Sequence, residues 1–346
     1  MSTQPGVRSG GAPLGGTALA PPGPLLEVDR LCIDVPTSSG HLRLVDSFDL
    51  SMAAGDRVAL VGESGSGKTV TARAIMRLNH KLRVTGSVRL AGTELLSLSE
   101  REMTRIRGSR IGMVFQDPMD ALNPLQTIGD QVAEPLRLRG TPRKEALERA
   151  RAMLEELGVA RAAERMKAYP HEFSGGMRQR VVLAMALIGE PDVLIADEPT
   201  TALDVRVQKQ VLALLDEVQQ RRKLAVLLIT HDLAVVAGFA DRVVVMYAGR
   251  KVEEHPTEQL FTAPAHPYAA ALLQALPRID RPTARLEPIP GAPPSPSARP
   301  PGCAFHPRCP AAIDICRQDV PLLLPTSDDG LVACHVASAS QKRNGY

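Results

Sequence analysis

The stretch GESGSGKT (62–69) sets three glycines, a lysine and a hydroxyl in eight residues. It follows the apolar run RVALV (57–61) and opens a helical pattern that continues from Val70 to Leu78. This is the G-x-x-x-x-G-K-[ST] spacing. The glycines let the backbone curl so that successive N–H groups point at a polyphosphate, and the helix N-terminus adds partial positive charge. Lys68 then reaches the β- and γ-phosphates, and the Thr69 hydroxyl ligates Mg²⁺. A second carboxylate-bearing strand end, VLIADEP (193–199), supplies Asp197 for the metal and Glu198 to polarise an attacking water. FSGGMRQR (173–180) makes a second anion-facing helix start at Ser174, Gly175 and Gly176. One nucleotide cannot easily use both ends from the same chain, so the second is expected to serve a partner's nucleotide. Gln116 and His231 each end an apolar strand on the edge where a parallel sheet carries its ligand.

These groups need an α/β frame. Residues 25–61 read as strands, and RIGMVF (110–115), VLIAD (193–197), AVLLIT (225–230) and RVVVMY (242–247) as further strands. Residues 117–190 read as predominantly helical. In TPRKEALERARAMLEELG, Thr141 is the expected N-cap, Pro142 the first helical residue and Gly158 the stop. QVLALLDEVQQ reads as a helix between two strands. The alternation predicts a mostly parallel sheet with an inserted helical block.

Composition is that of a globular protein: 346 residues, 44% hydrophobic and 23% charged, with a net charge of +3 and no basic block. Nothing in that charge supports nucleic-acid binding. No apolar run reaches the ~18 residues needed to cross a bilayer. Residues 1–24 are Gly-, Pro- and Ser-rich and lack a signal-peptide pattern, so a disordered leader and a reducing, cytosolic setting are expected. Eight prolines between 282 and 301 make a stiff linker. Four of the five cysteines follow it, as C-x5-C-x6-C-x17-C from Cys303 through Cys309 and Cys316 to Cys334. Close C-x2-C pairs are absent, and four thiolates so spaced can still take either an iron–sulfur cluster or Zn²⁺. His306 and His335 are substitutes or donors behind the ligands. The metal equally serves as a staple for a tail with little core of its own. Cys32 reads as a small core residue.

In this order the motifs resemble the nucleotide-binding subunits of ABC transporters over about residues 25–277. The resemblance identifies GESGSGKT as the Walker A, Gln116 as the Q-loop glutamine, FSGGM as the signature, VLIADE as the Walker B, TALD (201–204) as the D-loop and His231 as the switch histidine. It implies a P-loop fold with an antiparallel β subdomain and a helical subdomain at about 117–190. It also implies ATP and Mg²⁺ as ligands, with Glu198 as general base and His231 on the γ-phosphate. Gly62, Glu63, Ser64, Gly65, Ser66, Gly67, Lys68, Thr69, Val70, Gln116 and Asp197 would bind ATP, with Thr69 and Gln116 on Mg²⁺. Ser174, Gly175, Gly176, Met177 and Asp204 would act across a head-to-tail dimer. The family stacks adenine on an aromatic residue where this chain has Val35, so an apolar contact is expected there, with His41 the weaker substitute.

YPHEFSGGMRQRV, HPYAAALLQALPRID, IPGAPPS and GCAFHPRCPAAIDIC look like the oligopeptide/dipeptide importer ATPases, D-type subunit. Nickel importer ATPases share the core and usually lack the cysteine tail; soluble ABC ATPases usually carry two cores or a long coiled coil. The resemblance implies a peripheral protein on the cytoplasmic membrane face. It also implies a related second ATPase, two permease chains and an extracytoplasmic peptide-binding protein. For the tail it implies a [4Fe–4S] cluster on Cys303, Cys309, Cys316 and Cys334, in a metal-binding extension (302–346) after the linker (278–301).

Overall fold

The computed structural model describes residues 23–38, 40–201, 203–276 and 288–337. Residues 1–22 of the expected leader and residues 278–287 of the expected linker lie outside these residues. The chain begins with β1 (Leu26–Thr37) and β2 (Gly40–Met52), paired antiparallel. Leu26, Val28, Leu31 and Ile33 are buried along β1, and a register shift after Val28 keeps Leu31 and Ile33 on the core side. β3 (Arg57–Val61) runs into α1 (Lys68–Ile75), and β4 (Arg83–Leu90) then returns to pair with β1, followed by the short β5 (Thr93–Glu94). The resulting four-stranded antiparallel sheet has the order β2-β1-β4-β5.

After α2 (Glu100–Ile106) and β6 (Ile111–Val114) the chain enters the helical block: α3 (Pro118–Ala121), α4 (Ile128–Arg137), α5 (Arg143–Glu156), α6 (Ala162–Arg165) and α7 (Gly175–Leu187). α5 starts one residue later than the sequence suggests. Pro142 is extended and flanks the helix instead of opening it, while Ala146, Ala150, Met153 and Leu154 form the buried face. α7 is buried nearly all round, by Val181, Val182, Leu183, Ala184, Ala186 and Leu187, and forms the spine of the block. It shares one apolar cluster with Val114, Leu194, Ala196, Val226 and Leu228 of the sheet. Helical block and sheet therefore share one close-packed core, which ties the insert to the strands that carry the site.

β7 (Val193–Asp197), α8 (Val205–Arg222), β8 (Ala225–Thr230), α9 (Leu233–Phe239) and β9 (Arg242–Tyr247) complete the parallel part. Every residue of β7 and β8 is buried, as a strand covered on both faces requires. β10 (Arg250–Pro256) turns back antiparallel on β9, followed by α10 (Thr257–Thr262) and α11 (Pro267–Gln274). Two short strands, β11 (Leu324–Pro325) and β12 (Leu331–Val332), then extend the same sheet to the order β11-β12-β10-β9-β3-β8-β7-β6.

The cysteine segment is thus continuous with the main sheet. β12 pairs with β10, and Phe305 is 1% exposed among the rings of Tyr247, Tyr268 and His266. It shares a core with Ala59, Val61, Val243 and Val245. This differs from the isolated cap that the proline run suggests. The aromatic and strand contacts supply the apolar cover that the tail lacks on its own. Among the described residues no helix is long and apolar enough to cross a membrane.

Candidate functional site

β3, β7 and β8 lie side by side in parallel, so Val61, Asp197 and Thr230 finish on one edge. The loop after β3 curls at once. Gly62 has φ 153°, and a Cβ there would stand 2.2 Å from the Met246 carbonyl oxygen. Only glycine fits that turn. Lys68 folds back over the loop and donates to the Gly62 and Glu63 carbonyls at 2.7 and 2.9 Å. Burial lowers its pKa, against the opposing charges of Glu198, Asp197 and Glu63.

Thr69 Oγ1 donates to Asp197 Oδ1 at 3.0 Å. The other carboxylate oxygen, Oδ2, is buried without a hydrogen-bond partner, and burial raises the Asp197 pKa. A buried carboxylate oxygen beside a hydroxyl is a fitting donor set for a hard divalent cation, which prefers oxygen ligands. Mg²⁺ therefore suits the residues present, with Thr69 and Asp197 already in contact.

Glu198 occupies the left-handed region, φ 48°, just past β7, and its N–H donates to the Ile229 carbonyl at 2.8 Å. That turn aims its carboxylate at three side chains. Gln116 Nε2 donates to Oε2 at 3.0 Å and Thr201 Oγ1 donates to the same oxygen at 2.9 Å. His231 Nδ1 lies 3.1 Å from Oε1. Gln116, Glu198 and His231 come from the ends of three different strands, so the fold brings together residues up to 115 positions apart.

A groove of about 440 Å³ runs along the loop, lined by Ser64, Gly65, Gly67, Lys68, Thr69, Val70, Arg73, Gln116 and Glu198, with Leu44, Asn79, Leu82 and Pro296 on its flank. Val35 is not on it; it pairs with Leu42 across the antiparallel sheet. His41 lines a separate shallow pocket with Asp34, Arg43 and Asp46. The apolar side chain that does flank the groove from the early strands is Leu44.

Ser174 caps α7, accepting the Met177 N–H at 3.4 Å, and is exposed. Gly176 lies so close to Val207 that a Cβ would stand 2.4 Å from Val207 Cγ1. Asp204 caps α8 through the Arg206 and Val207 N–H groups at 3.1 and 3.0 Å. None of Ser174, Gly175, Gly176, Met177 or Asp204 lines the groove. Two sets of anion-facing groups therefore exist at separate places on the chain.

None of the four tail cysteines is joined in a disulfide, and Cys316, Cys334 and Cys309 all lie near enough to Cys303 for their charges to act on it. The Cys303 N–H donates to the Cys316 carbonyl at 2.9 Å. Burial, then the neighbouring Cys316, Cys334 and Cys309, push Cys303 up to about 11; burial likewise raises Cys309 and Cys334. Among the described residues, however, no three His, Cys, Asp or Glu side chains are grouped so as to hold a metal ion. His306 Nδ1 faces the Cys303 carbonyl at 3.0 Å and His335 Nε2 the Asp319 carbonyl at 2.9 Å, so one nitrogen of each ring is engaged with backbone. Cys32 is half-buried, with its sulfur accepting the Ser47 N–H at 3.3 Å.

Sequence reasoning missed Thr201 as a partner of Glu198, Tyr268 whose hydroxyl accepts the Glu63 N–H at 2.8 Å, and Arg308, which pairs with the Glu63 carboxylate. Tyr268 and Arg308 lie more than 200 positions from the loop. No spacing rule reaches that far.

Residues 45–201 match the ABC transporter family and residues 252–316 the oligopeptide/dipeptide transporter C-terminal region. The oligopeptide transport ATP-binding protein OppD of Salmonella typhimurium is 48% identical over 300 residues, 86% of this chain and 90% of that one. The Escherichia coli protein of the same name is 47% identical, over 86% of this chain and 89% of its own length. Among solved structures, the dimeric post-hydrolysis state of the ATP-binding cassette MJ0796 with ADP and Pi aligns with a TM-score of 0.61 at 27% identity, over 67% of this chain and 98% of that one. The chain belongs to the ABC transporter family of ATP-binding subunits, in the branch that carries the oligopeptide/dipeptide C-terminal region.

Proposed function

We propose that this chain is the ATP-hydrolysing subunit that powers an importer of di- and oligopeptides. The observation that carries the reading is the joint match of an ABC core and the oligopeptide/dipeptide C-terminal region, with OppD proteins alike over most of the length. The phosphate loop, Gly62 to Val70, receives the ATP phosphates. Lys68 leaves its loop carbonyls for the β- and γ-phosphates. Thr69, Gln116 and Asp197 would hold Mg²⁺, which neutralises developing charge on the phosphates. Glu198 takes the proton of the attacking water, and His231 steadies the γ-phosphate end of the site. Leu44 is the apolar group from the early strands on the adenine side of the groove, in place of the expected Val35.

Ser174, Gly175, Gly176, Met177 and Asp204 act on the nucleotide of a second, related ATPase subunit. Their distance from this chain's own groove supports a head-to-tail pair. Closure of that pair swings the helical blocks, and two permease chains respond while a peptide-binding protein delivers substrate from outside. In this reading the chain works on the cytoplasmic face of the membrane. Co-expression with the permease and binding-protein chains in proteoliposomes tests the reading. ATP-dependent uptake of labelled peptide that disappears with Glu198→Gln supports it, and ATP turnover with no peptide uptake across a library of two to five residues removes it.

For the tail we infer that Cys303, Cys309, Cys316 and Cys334 take up a polynuclear iron–sulfur group. What supports this is the match of the cysteine segment to the oligopeptide/dipeptide C-terminal region and the nearness at which Cys316, Cys334 and Cys309 act on Cys303. Anaerobic purification with iron and sulfide assay is the test: a colourless chain without sulfide removes the inference.

A further inference from the structure

Arg308 lies in the cysteine segment, 245 positions beyond Glu63, yet it meets the phosphate loop. Its Nη1 donates to Glu63 Oε2 at 2.7 Å and its Nη2 to Oε1 at 3.0 Å. The guanidinium is fixed from behind as well. Nε donates to the Pro290 carbonyl at 2.7 Å, Nη1 to the Tyr247 hydroxyl at 3.2 Å, and the Tyr247 and Phe305 rings lie 5.8 and 5.9 Å away. Its side chain is 5% exposed. A two-pronged pair held this way keeps one geometry, unlike a surface ion pair.

Glu63 is the second residue of the loop. Its carbonyl accepts from Lys68, its N–H donates to the Tyr268 hydroxyl, and its charge is felt at Lys68. A fixed carboxylate there opposes a polyphosphate seated on the same loop. The tail reaches the site a second time further back: Pro296 flanks the groove, and Arg299 Nη2 donates to the carbonyl of Leu44, another flanking residue, at 2.6 Å.

We propose that Arg308 is a positioning residue for ATP: it cancels the Glu63 charge at the mouth of the phosphate loop, so the cysteine segment is a working part of phosphate binding. The inference rests on the loop being the ATP site. Arginine suits the task because its charge is permanent and its fork matches a carboxylate.

The test is displacement of a fluorescent ATP analogue from the full-length chain by ATP and by ADP. Wild-type binding comes first, and a chain that binds no ATP overturns the reading of the loop along with this one. Arg308→Met leaves the carboxylate uncancelled and should weaken ATP about ten-fold, ADP less. Arg308→Lys keeps the charge and should stay within about three-fold of wild type. Glu63→Gln should bind ATP at least as tightly as wild type, and adding it to Arg308→Met should restore binding to within about three-fold. A mere structural brace predicts weakening in all these variants, and no recovery in the double. That pattern, or an unchanged Arg308→Met, overturns the proposal. Should Arg308→Met not fold, Glu63→Gln decides alone: weaker ATP binding refutes the charge role.

Discussion

Glu198 and His231 face each other at 3.1 Å, and the same carboxylate takes hydrogen bonds from Gln116 and Thr201 on its other oxygen. Both oxygens of the proposed base are therefore oriented before any substrate arrives. Glu198→Gln keeps the shape and removes the proton acceptor. ATP binding should persist while turnover of the assembled transporter falls on the order of 10²–10⁴-fold. Unimpaired single-turnover hydrolysis would take the base assignment away from Glu198.

Lys68 rests on the carbonyls of Gly62 and Glu63, contacts it must exchange for phosphate oxygens. A charged hydrogen bond is worth about 1.5–3 kcal/mol. Lys68→Ala should therefore weaken ATP at least about ten-fold, as read by equilibrium titration. Removal of the buried ammonium also relieves its desolvation, so the melting temperature should change little.

Gly62→Ala should disable the loop by another route. The added methyl meets the Met246 carbonyl at 2.2 Å in a backbone region that alanine avoids. Overpacking of this kind costs about 1–3 kcal/mol, and the positive φ adds to it. A lower melting temperature together with lost ATP binding is expected. A melting temperature equal to wild type would show that the turn has more room than the contact implies.

His266 and Glu253 should tilt stability in opposite directions with pH. Burial lowers His266 to about 4, and its Nδ1 accepts the Tyr268 N–H, which needs the neutral ring. The unfolded chain protonates near 6.5, so this contribution is lost as pH falls from about 6.5 to 4. Burial raises Glu253 to about 7, partly offset by the Ala265 and His266 N–H groups. The folded chain then holds a proton that the unfolded chain releases near 4.5, so this contribution is lost as pH rises from about 4.5 to 7. Each is worth at most roughly 3 kcal/mol. His255, also lowered by burial, adds to the His266 direction. Relative to wild type, Glu253→Gln should gain stability as pH rises through this window and His266→Asn should lose it. Denaturant titrations from pH 4.5 to 7 that give parallel curves would refute both.

How much was legible follows from where the information sits. RVALV, VLIAD, AVLLIT and RVVVMY are apolar but for one polar residue at an end (Arg57, Asp197, Thr230 and Arg242), and their observed bounds coincide with the runs because the strand interiors are covered on both faces. Local phosphate-loop chemistry was equally readable, since Gly62 to Thr69 act on one another within eight residues. The antiparallel β4 went unread: RVTGSVRL has a glycine and two arginines, and its pairing to β1 is fixed by partners 49 to 64 positions away. Val35 was read as the adenine neighbour from its position in the early strands, but the bulged register of β1 leaves Leu44 of β2 on the groove. The Arg308–Glu63 pair was invisible for the same reason, being a product of how the tail folds back and not of any motif.

The pairing of β12 with β10 has a consequence for shortened chains. Without β11 and β12, β10 would stand at the margin of the remaining six strands, with its N–H and C=O groups from Glu253 and Glu254 open to any passing strand. Two residues, Leu331 and Val332, shield it. A chain ending before residue 324 would keep every motif of the phosphate site and yet present a bare sheet edge, a template for aggregation. Stop codons in this region should therefore show up as insolubility before they show up as lost nucleotide chemistry.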